Sequence, residues 1–164
     1  MTVLLVTCPV GREGDASLEL EWALGNAKVK RTKWRGVLIV FTPLEKAEAL
    51  KRIIEFETSA IFKITPLDVL VKSDRDEIIN IGFELAKTKI KEGDSFAVRC
   101  RKRGNKIKSS KDIEIELGGK IKEELNAVVN LSNPKWTVVI EILGTKTGIG
   151  ILMQEEFIKK DIHF

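Results

Sequence analysis

The chain has 164 residues, of which 43% are hydrophobic and 32% are charged, with 28 lysines and arginines against 24 aspartates and glutamates. This length and balance suffice for one domain or two small ones with buried cores, and they exclude a wholly disordered chain. No apolar run reaches the roughly 20 residues that a membrane span needs. The two cysteines imply no disulfide framework, so we expect a cytoplasmic protein.

The first half of the chain predicts four strands and two helices. Apolar runs bounded by turn residues predict strands at residues 3–7, 28–34, 36–41 and 59–71. A helix is predicted over residues 16–24, with Asp15 as its N-cap and a buried side formed by Leu18, Trp22 and Leu24. A second helix is predicted to begin at Pro43, with a buried side formed by Ala47, Leu50, Ile53 and Ile54. The order strand-helix-strand-strand-helix-strand is typical of the ferredoxin-like fold.

The second half predicts an α/β domain of two helices and four strands. The first helix spans residues 74–90, with Asp74 as its cap and a buried side formed by Ile78, Ile81, Phe83 and Leu85. Strands are predicted at residues 95–103, 127–131, 135–143 and 147–153. A second helix is predicted to begin after Ser109, and its buried stripe consists of Ile113, Leu117, Ile121 and Leu125.

Positive charge is concentrated between Arg99 and Lys111, in the sequence RCRKRGNKIKSSK. This run holds seven cations and no acid. Because the whole chain has a net charge of +4, the remainder carries −3. Charge gathered in one segment is typical of a nucleic-acid footprint and not of a generally basic protein.

Alternation along the strand at residues 95–103 predicts a row of arginines on one face. One side of the strand carries Phe96, Val98 and Cys100, and the other carries Arg99, Arg101 and Arg103. Such a row suits repeated phosphates because arginine binds them bidentately. The alternative is a solvated sheet face paired with acids, although no acid between Ser95 and Lys111 is available for local pairing.

The basic segment leads directly into the start of a helix. Ser109 or Ser110 can cap the first turn, and amides at the positive end of the helix dipole can also bind a phosphate. With the arginine row, this predicts a binding surface made of Arg99, Arg101, Lys102, Arg103, Lys106, Lys108, Ser110 and Lys111.

A second group of cations lies at Lys28, Lys30, Arg31, Lys33 and Arg35. Trp34 lies among them and could stack on a base, although such a tryptophan is more often a half-buried strand residue. The cations either extend the footprint, with secondary contacts at Lys30, Arg31, Lys33 and Arg35, or shield an exposed edge strand from aggregation.

Other motifs favour structural roles. The run from Gly144 to Gly150 lacks the spacing of a Walker motif and predicts a hairpin turn. Cys8 and Cys100 lie in apolar strands and are predicted to be buried. His163 is the single histidine, so sites built on several histidines are excluded. We therefore expect no catalytic residue, no metal site and no cofactor.

Several segments of the second half, taken in order, resemble one known module. They are Phe96-Ala97-Val98-Arg99, Lys102-Arg103-Gly104, Ser109-Ser110, Glu114, Leu117-Gly118 and the run from Val129 to Pro134, followed by the β-rich stretch from Trp136 to Glu141. Their order and spacing resemble the THUMP domain of tRNA-modifying enzymes. The resemblance implies a ferredoxin-like domain at residues 1–72, a THUMP domain at 73–155 and a tail at 156–164.

The same resemblance implies a function. THUMP domains recognise the shape of tRNA, commonly through the acceptor stem and the 3′ end, so we expect tRNA and not DNA as the ligand. Most THUMP proteins continue into a catalytic domain after this point, whereas free-standing ones resemble the adaptor that brings tRNA to a cytidine acetyltransferase. We therefore expect a non-enzymatic adaptor in the formation of N4-acetylcytidine.

Two alternatives remain open. The chain could be the RNA-binding module of a tRNA methyltransferase or thiouridine synthase whose catalytic domain is on another chain. It could also be a small nucleotide-using transferase, although no Gly-rich cofactor motif supports that assignment.

Overall fold

The computed structural model describes residues 1–163. They form two compact units. The first unit comprises Met1–Pro66 together with the segment from Glu155 onward, and the second comprises Leu67–Gln154. Each unit has its own five-stranded sheet and its own hydrophobic core.

The first unit has the predicted strand-helix-strand-strand-helix-strand order. Its elements are β1 Thr2–Thr7, α1 Glu13–Leu24, β2 Lys28–Arg31, β3 Val37–Thr42, α2 Lys46–Glu55, β4 Lys63–Leu67 and β10 Ile158–Lys159. The sheet order is β10-β4-β1-β3-β2, and β1 is antiparallel to β3, with Leu4 opposite Val40. Apolar side chains from one face of the sheet and from both helices form the core.

The predicted buried side of α1 is confirmed at Leu24 and wrong at Leu18 and Trp22. Leu18 and Trp22 are exposed, and the buried residues are Ala16, Leu20, Ala23 and Leu24. This stripe places two alanines in the interface, where small side chains allow close packing. The helix begins at Glu13 with Arg12 as its N-cap, so the predicted cap at Asp15 is also wrong.

The second helix begins later than predicted. Pro43 lies in a turn before the helix, in which the Thr42 hydroxyl accepts a hydrogen bond from the Leu44 amide. The helix starts at Lys46, and its buried residues are Ala49, Leu50 and Ile53. The predicted inward positions of Ala47 and Ile54 are therefore wrong, because both side chains are exposed.

The extended stretch predicted at residues 59–71 contains two strands in different sheets. β4 lies in the first sheet, and β5 Val69–Lys72 lies at one edge of the second. The segment after Glu155, assigned to a tail by the sequence, returns to the first unit, where β10 pairs with β4. Lys160 donates hydrogen bonds to the carbonyl oxygens of Ile53 and Phe56, which anchors this segment at the end of α2.

The second unit contains both remaining helices. Its elements are β5, α3 Arg75–Lys89, β6 Ser95–Arg103, α4 Ser110–Leu125, β7 Val128–Val129, β8 Trp136–Leu143 and β9 Lys146–Leu152. The sheet order is β5-β9-β8-β6-β7, with β6 parallel to β7 and β8. Apolar side chains from α3 and α4 pack with the sheet to form the core.

The predicted starts of α3 and α4 are confirmed. The Asp74 carboxylate accepts from the Glu77 amide at 3.1 Å, and the Ser109 hydroxyl accepts from the Asp112 amide at 3.1 Å. The buried stripe of α4 is confirmed at Ile113, Leu117 and Ile121, and Leu125 at its end is half-buried. In α3, Ile78 and Phe83 are buried as predicted, whereas Ile81 and Leu85 are only half-buried.

The turn between β8 and β9 is a hairpin turn, as predicted. The two strands are antiparallel, with Leu143 opposite Lys146. Gly144 has φ 62, a left-handed conformation that glycine adopts without strain. None of the helices within residues 1–163 is long and apolar enough to cross a membrane.

Candidate nucleic-acid interface

The strand β6 has both the predicted bounds and the predicted faces. Phe96 and Val98 are buried in the core beneath the helices, and Cys100 is half-buried there. On the opposite face, Arg99 and Arg101 are exposed. Parallel pairing to β8 holds the strand along its length, so the arginines project from a rigid element.

Arg103, the last arginine of the row, is held by an acid from the neighbouring strand. Its Nη1 lies 2.9 Å from Oε1 of Glu141, and the two side chains are 10% and 14% exposed. No acid lies between Ser95 and Lys111 in the sequence. Strand pairing brings Glu141 close, because Arg101 lies opposite it in the register. Arg103 is thus less available to a ligand than the other arginines.

Arg99 and Arg101 differ in their partners. The Arg99 guanidinium donates a hydrogen bond to the carbonyl oxygen of Leu131. The loop there is further ordered by Asn130, whose side-chain oxygen accepts from the amide of Asn133 at 3.0 Å. Within residues 1–163, the Arg101 guanidinium has neither a hydrogen-bond nor an ion-pair partner. Arg101 is therefore the arginine of this face most available to a phosphate.

The basic loop after β6 is folded back on itself. Gly104, at φ 94, turns the chain. Lys102 donates from Nζ to the carbonyl oxygens of Ile107 at 3.2 Å and Lys108 at 2.9 Å. The Ile107 side chain is buried and anchors the loop in the core. Lys106 and Lys108 are exposed in this loop, and Lys111 is exposed in the first turn of α4, so these cations are presented on a defined backbone.

A cleft of about 520 Å³ lies where this loop meets the starts of α3 and α4. Its lining residues are Ser73, Asp74, Arg75, Lys106, Ile107, Lys108, Ser109 and Asp112. Ser110, the first residue of α4, is half-buried beside them in the chain. Two lysines and the start of α4 thus border the cleft, whereas the start of α3 is already capped by the Asp74 carboxylate.

Arg75 joins the two helices at this cleft and was not identified by the sequence. Its Nε lies 2.6 Å from Oδ2 of Asp112, and its guanidinium also pairs with Glu116. The hydrogen bond from Arg75 holds the pKa of Asp112 below its usual range. A cation in the first turn of a helix interacts unfavourably with the positive end of the helix dipole. This mismatch is the sequence signal that could have indicated a distant acidic partner for Arg75.

The second cationic group lies on and after β2, the edge strand of the first sheet. The exposed members include Lys30, Arg31, Lys33 and Arg35. Lys30 Nζ lies 5.5 Å from the ring centre of Phe41, and Lys33 Nζ lies 5.5 Å from that of Trp34. Trp34 is half-buried. This arrangement is compatible with both open interpretations, an additional phosphate contact and protection of an edge strand.

The thiols lie outside this surface and are held protonated at neutral pH. Burial, assisted by Glu13, raises the pKa of Cys8 to about 11. Burial, assisted by Glu114 and Glu141, raises the pKa of Cys100 to about 12. Among residues 1–163, no three His, Cys, Asp or Glu side chains are grouped so that they could hold a metal ion.

Residues 72–152 match the family model of the THUMP domain. This part of the chain is therefore a THUMP domain, and it contains β6, the basic loop and the cleft. The chain is 36% identical, over 126 residues, to the uncharacterized protein MJ0421 of Methanocaldococcus jannaschii, an alignment that covers 77% of this chain and 33% of the relative. The chain thus spans about a third of that relative's length.

Two solved structures share the fold. The crystal structure of PH1313 from Pyrococcus horikoshii has a TM-score of 0.73 and 24% identity, with 97% of this chain and 55% of that chain covered. A 4-thiouridine synthetase in complex with RNA and ATP has a TM-score of 0.69 and 19% identity, with 97% and 42% covered. The mixed α/β fold of this chain is thus one that larger proteins contain.

Proposed function

We propose that this chain binds tRNA through its THUMP domain and acts as a non-catalytic adaptor in tRNA modification. The observation that carries the proposal is the surface formed by Arg99, Arg101, Lys106, Lys108 and Lys111. These exposed cations lie on a paired strand, on an anchored loop and, for Lys111, in the first turn of α4, all within the domain that matches the THUMP model. Hereafter this set is the basic surface.

The basic surface suits a folded RNA that is held by its backbone. Structured RNA is recognised largely through phosphates and 2′-hydroxyls, and a fixed array of cations matches phosphate spacing without reading bases. Lys102 and the buried Ile107 hold the loop in place before binding, which lowers the entropy cost of association. The 4-thiouridine synthetase of similar fold was solved with RNA, which supports RNA over DNA.

A separate enzyme would catalyse the modification of the bound tRNA. Both thiols have raised pKa values, so neither is a thiolate at neutral pH. The proposed partner is a tRNA cytidine acetyltransferase, with N4-acetylcytidine as the product and the cytoplasm as the location. The chain would contribute the tRNA-binding surface, and the partner would contribute the reaction.

A second candidate is the RNA-binding part of a thiouridine synthase or methyltransferase. The observation that favours it is the coverage of the 4-thiouridine synthetase match, which includes 97% of this chain but 42% of the synthetase. In that case the same basic surface would bind tRNA, and only the modification would differ.

Deletion of the gene followed by mass spectrometry of tRNA nucleosides tests these assignments. The adaptor proposal expects loss of N4-acetylcytidine, with recovery by the intact gene and not by Arg101→Glu combined with Lys106→Glu. Loss of 4-thiouridine or of a methylated nucleoside would select the second candidate. An unchanged set of modified nucleosides would contradict both.

A further inference from the structure

The outer side of α1 carries two large apolar side chains that the core does not use. Leu18 is 47% exposed and Trp22 is 66% exposed. They lie four residues apart and are therefore neighbours on one face of the helix. The opposite face, which includes Leu20, packs in the core. An exposed tryptophan beside a leucine forms an apolar patch that folding of this unit does not bury.

The charges on this helix are negative. α1 contains no lysine or arginine and four acids, Glu13, Asp15, Glu19 and Glu21. Glu13 and Glu19 are used within the fold, where their carboxylates accept hydrogen bonds from backbone amides. Asp15 and Glu21 are exposed. Each is three residues from Leu18, so the two carboxylates flank the apolar pair. We call Asp15, Leu18, Glu21 and Trp22 the α1 patch.

We propose that the α1 patch binds a partner protein. The partner segment that contacts the patch has an apolar side chain flanked by lysines or arginines. Tryptophan is the side chain most often responsible for the affinity of a protein interface. The acidic flank would attract a basic segment and determine its orientation. The Asp15 carboxylate already pairs with Arg12 at 3.3 Å. Glu21 should therefore attract a basic segment more strongly than Asp15 does.

The same charges disfavour the two other occupants. A base stacked on Trp22 would bring its phosphates beside Asp15 and Glu21, which repel them. A second copy that presented its own α1 patch would place carboxylates against carboxylates. The segment that docks on the α1 patch therefore belongs to a different protein. We assign it to the enzyme that receives the tRNA, and this assignment rests on the proposed adaptor role.

Site-specific photo-crosslinking identifies the occupant directly. The photoreactive residue p-benzoyl-phenylalanine replaces Trp22 in the full chain, expressed in its native cells. A matched control carries it at Ile54, which is 54% exposed on α2 and follows two cations, Lys51 and Arg52. The expected product at position 22 is a crosslink to a peptide of a tRNA-modifying enzyme with lysine or arginine beside an apolar residue, absent from the control at position 54.

Variants then separate this inference from the proposed function. Trp22→Ala is expected to weaken binding of the crosslinked protein about 10- to 100-fold, whereas Ile54→Ala changes it by less than about twofold. Both variants should bind tRNA as the parent does. A parent that does not bind tRNA but still crosslinks through position 22 refutes the proposed function alone.

Three results would overturn the α1 patch as a protein-docking surface. They are crosslinks from position 22 to RNA or to a second copy of the chain, no product above the Ile54 control, and equal effects of Trp22→Ala and Ile54→Ala. Because both side chains are exposed, each variant should keep the melting temperature of the parent, and this is measured on the same samples.

Discussion

Arg103 and Glu141 form a mostly buried ion pair that joins β6 to β8, with Nη1 2.9 Å from Oε1. Arg101, two residues earlier on the same face, is exposed. The arginines of this row therefore have different roles. Arg103 stabilises the sheet, and Arg101 remains available to a ligand, although both fit the same sequence pattern.

Replacement of Arg103 should lower stability more than replacement of Arg101. Arg103→Gln leaves the Glu141 carboxylate without its ionic partner in a largely desolvated position, and we expect a loss of about 1–3 kcal/mol in the free energy of unfolding. Arg101→Gln should change that free energy by less than about 0.5 kcal/mol. Urea unfolding of the parent and both variants provides the comparison.

A double substitution tests the same ion pair. Arg103→Gln combined with Glu141→Gln removes both charges, so part of the lost stability should return. If Arg103→Gln and Arg101→Gln unfold at the same urea concentration, the ion pair contributes nothing measurable, and the division of roles is wrong.

Lys102 should act on RNA binding through the shape of the loop. Lys102→Met keeps the alkyl chain but removes the ammonium group that donates to the carbonyl oxygens of Ile107 and Lys108. We expect faster proteolysis within residues 104–108 and faster amide hydrogen exchange there. Lys106→Met, which removes an exposed cation from the same loop, should leave both rates unchanged. Equal rates in the two variants would show that Lys102 does not order the loop.

Arg75 should make stability depend on pH in the acidic range. Arg75 lowers the pKa of Asp112, so the pair stabilises the folded state above the ordinary aspartate pKa of about 3.9. That contribution is lost as the pH falls through the lowered folded-state value. The difference in unfolding free energy between the parent and Arg75→Gln should therefore be constant near pH 7 and shrink below about pH 4.

Urea unfolding at several pH values measures this difference, and NMR titration of the Asp112 carboxyl group measures its pKa directly. In Arg75→Gln the pKa should move up toward the ordinary value. A stability difference that does not vary with pH would mean that Arg75 acts by packing alone.

The second unit was predicted from sequence more accurately than the first. Along β6, the alternation of Arg99 and Arg101 with Val98 and Cys100 identifies the two faces, and in α4 the four-residue repeat from Ile113 identifies the buried stripe. In α1 the pattern misleads, because Leu18 and Trp22 are exposed whereas Leu20 and Leu24 are buried. Local periodicity cannot show that two alanines share the core side of that helix with these two leucines.

Partners distant in sequence were beyond prediction. Glu141 reaches Arg103 only through parallel pairing of two strands that are separated by α4 and β7, and Arg75 reaches Asp112 only when two helix starts meet. The sequence predicted where cations cluster, and it could not show which of them the fold already uses. The site residues therefore remain predictions until binding is measured.

Titration of fluorescently labelled tRNA with the protein, at several salt concentrations, tests the central claim that the basic surface binds folded RNA. If roughly three to six phosphates are neutralised, log K should fall with log salt at a slope of about −2 to −5. Arg101→Ala should reduce the magnitude of that slope by about 1, while Trp22→Ala leaves it unchanged. Absence of tRNA binding at low salt, or a slope that is the same in Arg101→Ala and the parent, would contradict the account.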